Sequence, residues 1–156
     1  TTRVGHGPLP TEIPGELGER IRELGNEFGA VTGRPRRCGW FDAVVVRYAT
    51  RVNGLSGLAV TKLDVLDSLD RIAICNGYKV GDEEYREFPG DVTALAHIEP
   101  IYEWFEGWQQ PTSDARTLDA LPAKARRYLD RIRELVAAPI VYVSVGTRRD
   151  QIIGLE

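Results

Sequence analysis

Glycine and proline set the first limit on this fold. From Glu27 to Asp42 the chain reads EFGAVTGRPRRCGWFD, and Gly33, Pro35 and Gly39 stand too close together for a regular helix or strand. The stretch is therefore a shaped loop. It carries Arg34, Arg36 and Arg37, three arginines in four residues, after Thr32 and before Cys38-Gly39-Trp40. Guanidinium groups present rigid forks of donors that match carboxylate and phosphate oxygens two at a time. A constrained loop with several such forks suits an anion clamp, and a solvated basic turn is the plainer alternative.

The rest of the composition narrows the ligand. The chain has 156 residues and a formal net charge of −3. That length suits one domain able to bury about two thirds of its unfolded surface. An acidic balance argues against a general nucleic-acid binder, and no aromatics interleave with Arg34–Arg37 to stack bases. A basic loop in an acidic chain points instead to a small anion. Cys38 and Cys75 make neither a disulfide framework nor a metal cluster, which fits a reducing, cytoplasmic setting. His6 and His97 lack the i,i+4 partner a helical zinc site wants. No apolar run spans a bilayer and no secretory signal opens the chain, so no membrane partner is expected. Thr1 stands where an initiator Met is usual, as expected of a fragment or a processed product.

Periodicity supplies the elements. Thr2–Val4 reads as extended. Leu17, Ile21 and Leu24 give a short helix over Glu16–Leu24, stopped at Gly25. Phe41, Val44, Val45, Tyr48, Ala49 and Val52 give a second over Asp42–Asn53, and its N-terminus adds partial positive charge beside the arginine loop. Gly57–Thr61 (GLAVT) reads as a buried, parallel strand. Arg71–Val80 and Glu84–Phe88 read as strands joined at Gly81-Asp82. Asp91–His97 is a loop or short helix, Pro100–Phe105 is extended, and Gly107–Asp119 is a polar connector. Pro122–Ala137 is a helix with an apolar face of Ala125, Tyr128, Leu129, Ile132, Leu135 and Val136. Ile140–Ser144 (IVYVS) is a buried strand, and Ile152-Ile153 a last short one. The pattern predicts an α/β fold: a mostly parallel sheet with flanking helices and a small antiparallel hairpin.

Two strand ends carry polar chemistry, where ligands bind in open α/β sheets. Thr61-Lys62-Leu63-Asp64 has the spacing of the guanine-reading motif of GTP-binding proteins, with Thr in the usual Asn position. A carboxylate there accepts from guanine N1–H and the exocyclic amine together, whereas adenine would leave it unpaired. The lysine stem can lie on the face of the base. A second loop carrying Ser144 and Gly146 can offer backbone N–H groups to guanine O6. The plainer alternative is a strand end with a surface Lys–Asp pair. Asp67 and Asp70 follow Asp64 at three-residue spacing and read as solvated. No G-x-x-x-x-G-K-[ST] phosphate loop occurs, and no Ser–His–Asp set stands out.

With these residues in place, the chain resembles the adenylosuccinate synthetase family. The resemblance rests on TTRVGHGPLPTE, GNEFGAVTGRPRRCGWFDAV, LSGLAVTKLDVLD, EPIYEWFEGW and the stretch from Leu121 to Gly146. It covers essentially all of residues 1–156, as a single segment matching the C-terminal part of such an enzyme. It implies a GTP-dependent ligase of AMP biosynthesis, acting as a cytoplasmic homodimer with Mg²⁺, that joins IMP and L-aspartate into adenylosuccinate. Val4 and Gly5 would approach IMP. Ala30, Val31, Thr32, Gly33, Arg34, Pro35 and Arg36 would form the aspartate loop, with Thr32, Arg34 and Arg36 on the carboxylates, Arg34 also near IMP and Arg36 near GTP. Lys62, Leu63, Asp64, Ser144, Val145 and Gly146 would bind guanine. Val31 departs from the pattern, standing where a second Thr is often found. The resemblance puts the phosphate loop, the catalytic Asp and His and the metal ligands in the N-terminal part, so it implies no catalytic residue or metal ligand here and no turnover by this chain alone. A non-catalytic guanine-nucleotide-binding or interaction module on the same scaffold is the alternative.

Overall fold

The computed structural model describes residues 7–89 and 97–155. The expected extended piece Thr2–Val4, the site residues Val4 and Gly5, and most of the Asp91–His97 segment lie outside those residues. The chain forms two compact units, one of Thr1–Tyr48 with Ala73–Glu103, the other of Ala49–Ile72 with Trp104–Glu156.

The first unit opens with helix α1 (Glu16–Leu24), which ends at Gly25. Strand β1 (Phe41–Asp42) then runs parallel to β3 (Arg71–Val80), with Phe41 opposite Ile74 and Asp42 opposite Cys75. Helix α2 (Ala43–Asn53) starts one residue later than its pattern suggests, because Asp42 is spent as its cap. Asp42 Oδ1 accepts the N–H groups of Val44 and Val45, both at 3.1 Å. This corrects the expectation that the α2 N-terminus serves an external anion: the chain's own carboxylate already occupies it. Tyr78 donates its phenol to Asp42 Oδ2 at 2.6 Å, so a buried carboxylate is held by three donors. Burial nonetheless keeps the Asp42 carboxyl above its ordinary range, against the pull of those bonds and of Arg47. Beside it Val44, Cys75 and Tyr78 form an apolar core that Tyr85, Phe88, Ile98 and Tyr102 cover. Cys75 is a free, buried thiol pushed up to about 12 by burial, which suits a packing role.

Strand β3 turns back through Gly81-Asp82 into the antiparallel β4 (Glu83–Tyr85), with Val80 opposite Glu83 and Gly81 at φ 61°. The hairpin is as expected, but its second strand begins one residue earlier and is shorter. Strand β5 (Glu99–Glu106) completes this sheet against β3.

The second unit holds a separate three-stranded sheet. Strand β2 (Leu58–Val60) runs parallel to β6 (Ile140–Ser144), which pairs antiparallel with β7 (Ile152–Gly154). The strands thus divide between two mixed sheets within the α/β class. β2 is parallel as expected but only half-buried, with Ala59 exposed, because its length of three residues leaves it a sheet edge. In β6, Ile140 and Val143 face the core while Tyr142 is exposed. Helix α3 (Ala123–Val136) buries Ala125, Tyr128, Leu129, Ile132 and Val136 along one stripe. Pro122 stands at its N-cap, and Ala137 ends it in a left-handed turn at φ 56° before Pro139. Tyr128 meets Phe105 edge-on at 5.7 Å and Trp108 at 6.2 Å. Among the described residues, no helix is long and apolar enough to cross a membrane.

Candidate functional site

The arginine loop is a tight hairpin in the first unit. Phe28 bridges Pro35, Arg36 N–H donates to Glu27 O at 3.0 Å, and Gly29 N–H donates to Arg34 O at 2.8 Å. Gly33 N–H closes back on Gly29 O at 2.8 Å with φ 65°, a backbone state that explains glycine there. The tip, Ala30 to Arg34, carries two polar side chains, Thr32 and Arg34, both exposed. Thr32 Oγ1 accepts the Arg34 N–H at 3.4 Å.

The three arginines have different duties. Arg37 fastens the loop's base, reaching Gly7 O at 2.6 Å and Glu12 at 3.3 Å. Arg36 pairs with Glu27 at 2.8 Å, and its carbonyl accepts Arg22 Nε at 2.7 Å. Arg34 alone of the three has a guanidinium without hydrogen bond or ion pair among the described residues. Its fork stands untied on the exposed hairpin tip.

The other predicted loops lie together in the second unit. Strand β2 ends at Val60, and Lys62 then adopts a left-handed conformation, φ 61° and ψ 41°. A lysine held there costs about 1 kcal/mol or more and persists only where neighbours fix it. Here the neighbour is Ser144 at the end of β6, whose Oγ accepts the Lys62 N–H at 2.9 Å. The left-handed turn launches a 3₁₀ turn, Leu63–Leu66, with Leu63 buried beneath it. Asp64 therefore stands at the joined ends of β2 and β6.

Asp64 and Arg126 each bury a side-chain polar atom without a partner among the described residues, and only Asp64 does so at these strand ends. Its Oδ1 is buried yet has no hydrogen-bond partner among the described residues. Burial holds its carboxyl above the ordinary range and Asp67 adds to the rise, against its own backbone N–H and, more weakly, Lys62. An unsatisfied buried acceptor costs about 1–3 kcal/mol until a donor reaches it.

Two residues that sequence reasoning passed over stand behind these loops. Asp67 is not a solvated bystander: it accepts Trp108 Nε1–H at 2.7 Å, Thr112 N–H at 2.7 Å and the Thr112 hydroxyl at 3.0 Å. Asp70 does stay exposed, accepting from Gln109. Gln151, buried within a polar run, packs its amide so tightly against Gly146 that a Cβ there would overlap it. Nothing local marks either residue: Asp70 shares the three-residue spacing and stays exposed, and the partners of Asp67 and Gln151 lie far along the chain.

These elements define an α/β module that presents an arginine hairpin on one unit and two interlocked strand-end turns on the other. Comparison with known proteins agrees with it. The family model described as adenylosuccinate synthetase matches residues 1–153. The adenylosuccinate synthetase of Heliobacterium modesticaldum is 54% identical over 155 residues, covering 99% of this chain, and that of Carboxydothermus hydrogenoformans is 56% identical over 156 residues, covering all of it. The fully ligated adenylosuccinate synthetase from Plasmodium falciparum superposes with a TM-score of 0.93 at 36% identity, over 99% of this chain and 37% of that one. The chain belongs to the adenylosuccinate synthetase family. It spans about 36% of the length of the curated relatives it matches.

Proposed function

We propose that this chain supplies the aspartate-binding loop and the guanine-binding loops of an adenylosuccinate synthetase. The reaction transfers the γ-phosphoryl group of GTP to O6 of IMP. The amine of L-aspartate then displaces that phosphate, giving adenylosuccinate, GDP and phosphate. In this reading Thr32 and Arg34 grip the aspartate carboxylates from the hairpin tip, and Arg36 joins them by exchanging its Glu27 ion pair for the ligand. Asp64 accepts from guanine N1–H and the exocyclic amine, Lys62 covers the base, and Ser144 and Gly146 address O6, the Val145 N–H being held by the Gln151 carbonyl. Val4 and Gly5 approach IMP. The working enzyme is a cytoplasmic homodimer. Mg²⁺ would neutralise charge on the transferring phosphoryl group. On the family resemblance its ligands belong to the N-terminal part of the enzyme.

The single observation that carries the reading is Asp64 Oδ1, a buried acceptor left without a donor beside a strained lysine. Guanine offers two donors on one edge, and adenine offers a lone pair where N1–H should be. Titration calorimetry of the chain with GDP and ADP tests this: GDP binds at least tenfold tighter, and equal affinity would refute it. A chimera in which this chain replaces the matching part of the H. modesticaldum enzyme then tests turnover. Adenylosuccinate formation by the chimera supports the ligase role. GDP binding without turnover supports a non-catalytic nucleotide-binding module instead.

A further inference from the structure

The connector between β5 and α3 joins the two base-reading loops from behind. Its Thr112-Ser113 dipeptide is gripped on both sides. Thr112, fully buried, gives its N–H and its hydroxyl to Asp67, three residues beyond Asp64. Ser113 O accepts Gln151 Nε2–H at 3.0 Å. Gln151 in turn backs the second loop at three points. Its Oε1 accepts Arg148 N–H at 3.1 Å, its carbonyl accepts Val145 N–H at 2.9 Å, and its amide packs on Gly146. Arg116 doubles the tie, donating to Ser113 O at 2.8 Å and to Asp150 at 3.0 Å.

Two covalently adjacent residues thus anchor the turn bearing Asp64 and the loop bearing Gly146. One peptide unit cannot stretch, so the loops cannot move apart without breaking these part-buried hydrogen bonds. We propose that Thr112-Ser113 is a tie-bar that sets the spacing of the two base-reading loops, and that Asp67 and Gln151 are positioning residues for guanine selectivity. The proposal rests on the guanine reading above. It adds that selectivity is set by a segment that touches no base. Binding groups held to within about half an ångström need such support from behind.

The test uses the 156-residue chain and three nucleotides. GDP carries both recognition edges, inosine diphosphate lacks the amine that Asp64 reads, and 6-thio-GDP weakens the O6 acceptor. In Gln151→Ala, preference for GDP over 6-thio-GDP collapses by about tenfold while preference over inosine diphosphate stays within about twofold. In Asp67→Asn the pattern reverses. Both ratios falling together in each variant, as global loosening would give, overturns the separate positioning roles. Hydrogen exchange gives a ligand-free reading: Asp67→Asn speeds exchange of the Val145 amide about tenfold, across the bar from the mutation. Thr112→Val reproduces that acceleration and Thr112→Ser restores protection, which covers the case of an unstable Gln151 or Asp67 variant. Unchanged ratios with an unaccelerated Val145 amide overturn the tie-bar while leaving guanine recognition intact. Wild-type chain that binds GDP and inosine diphosphate equally overturns guanine recognition itself, whatever the exchange data show.

Discussion

Asp64→Asn is expected to do two opposite things, and the pair is more telling than either. In the unliganded chain Asp64 Oδ1 is a buried acceptor without a donor. Its carboxyl is held above the ordinary range by burial, then by Asp67. A carboxyl raised in the folded state costs stability above its folded pKa, and the cost is relieved as pH falls toward the unfolded value. Asparagine removes the charge and keeps the shape. The side chain is partly exposed, so the lower end of the range for an unsatisfied polar group applies, about 1 kcal/mol. For a chain of this size that is a rise of about 2–4 °C in melting temperature. The rise is present at neutral pH and vanishes below the usual carboxylate range, where the wild-type side chain is also neutral. Guanine affinity moves the other way. Losing a charged acceptor for the N1–H and amine edge costs about 1.5–3 kcal/mol, or about 10- to 150-fold in GDP affinity. Thermal melts at pH 7 and pH 3.5, with calorimetry on the same samples, read both effects. A variant that melts lower at pH 7, or that keeps its preference for GDP over ADP, refutes the reasoning. A side chain that lowers stability while conferring recognition is the expected signature of a site.

Other changes separate the remaining roles. Tyr78→Phe strips one of three donors from the buried Asp42 carboxylate and is expected to cost about 2 kcal/mol in urea denaturation at pH 7. Because burial already raises the Asp42 carboxyl and the phenol opposes that rise, the deficit shrinks on acidification as the carboxyl protonates; a pH-independent deficit would contradict this. Gly146→Ala forces the Gln151 amide off its seat, and overpacking of this kind costs about 1–3 kcal/mol, read as a lower melting temperature together with weaker GDP binding. Arg34→Leu in the chimera is expected to abolish aspartate use while shifting stability by less than about 0.5 kcal/mol, since its guanidinium is tied to nothing described; unchanged apparent aspartate affinity would remove Arg34 from the clamp.

What could be read in advance was local. The bounds of α1, β3 and β6 follow from periodicity and from the residues that stop them, and the structure repeats those bounds. Gly81-Asp82 announced its hairpin, and the glycines of the arginine loop announced a loop. What was misread turned on competition between local signals. Asp42 before an apolar helical run is a capping signal, yet the nearby arginines made the helix end look like an anion site. The apolar run GLAVT looked fully buried, but a three-residue edge strand has too few neighbours to bury both faces.

What could not be read was the wiring behind the loops. Asp67 finds its partners 41 and 45 residues downstream, and Gln151 finds Ser113 38 residues upstream. Side-chain bonds over such separations leave no period in the sequence, and a glutamine in a run such as RRDQ reads as surface. Loops carrying ligand-reading groups are expected to be legible because their chemistry requires unusual residues. The members that position them need only be the right size with one donor and one acceptor, a condition many residues meet. Specificity therefore has two sequence signatures of different visibility: a loud one at the contact, and a faint one behind it. Where Asp64, Lys62 and Gly146 are retained but Asp67, Thr112 or Gln151 is replaced, the tie-bar predicts a base-binding unit with weakened choice between purines.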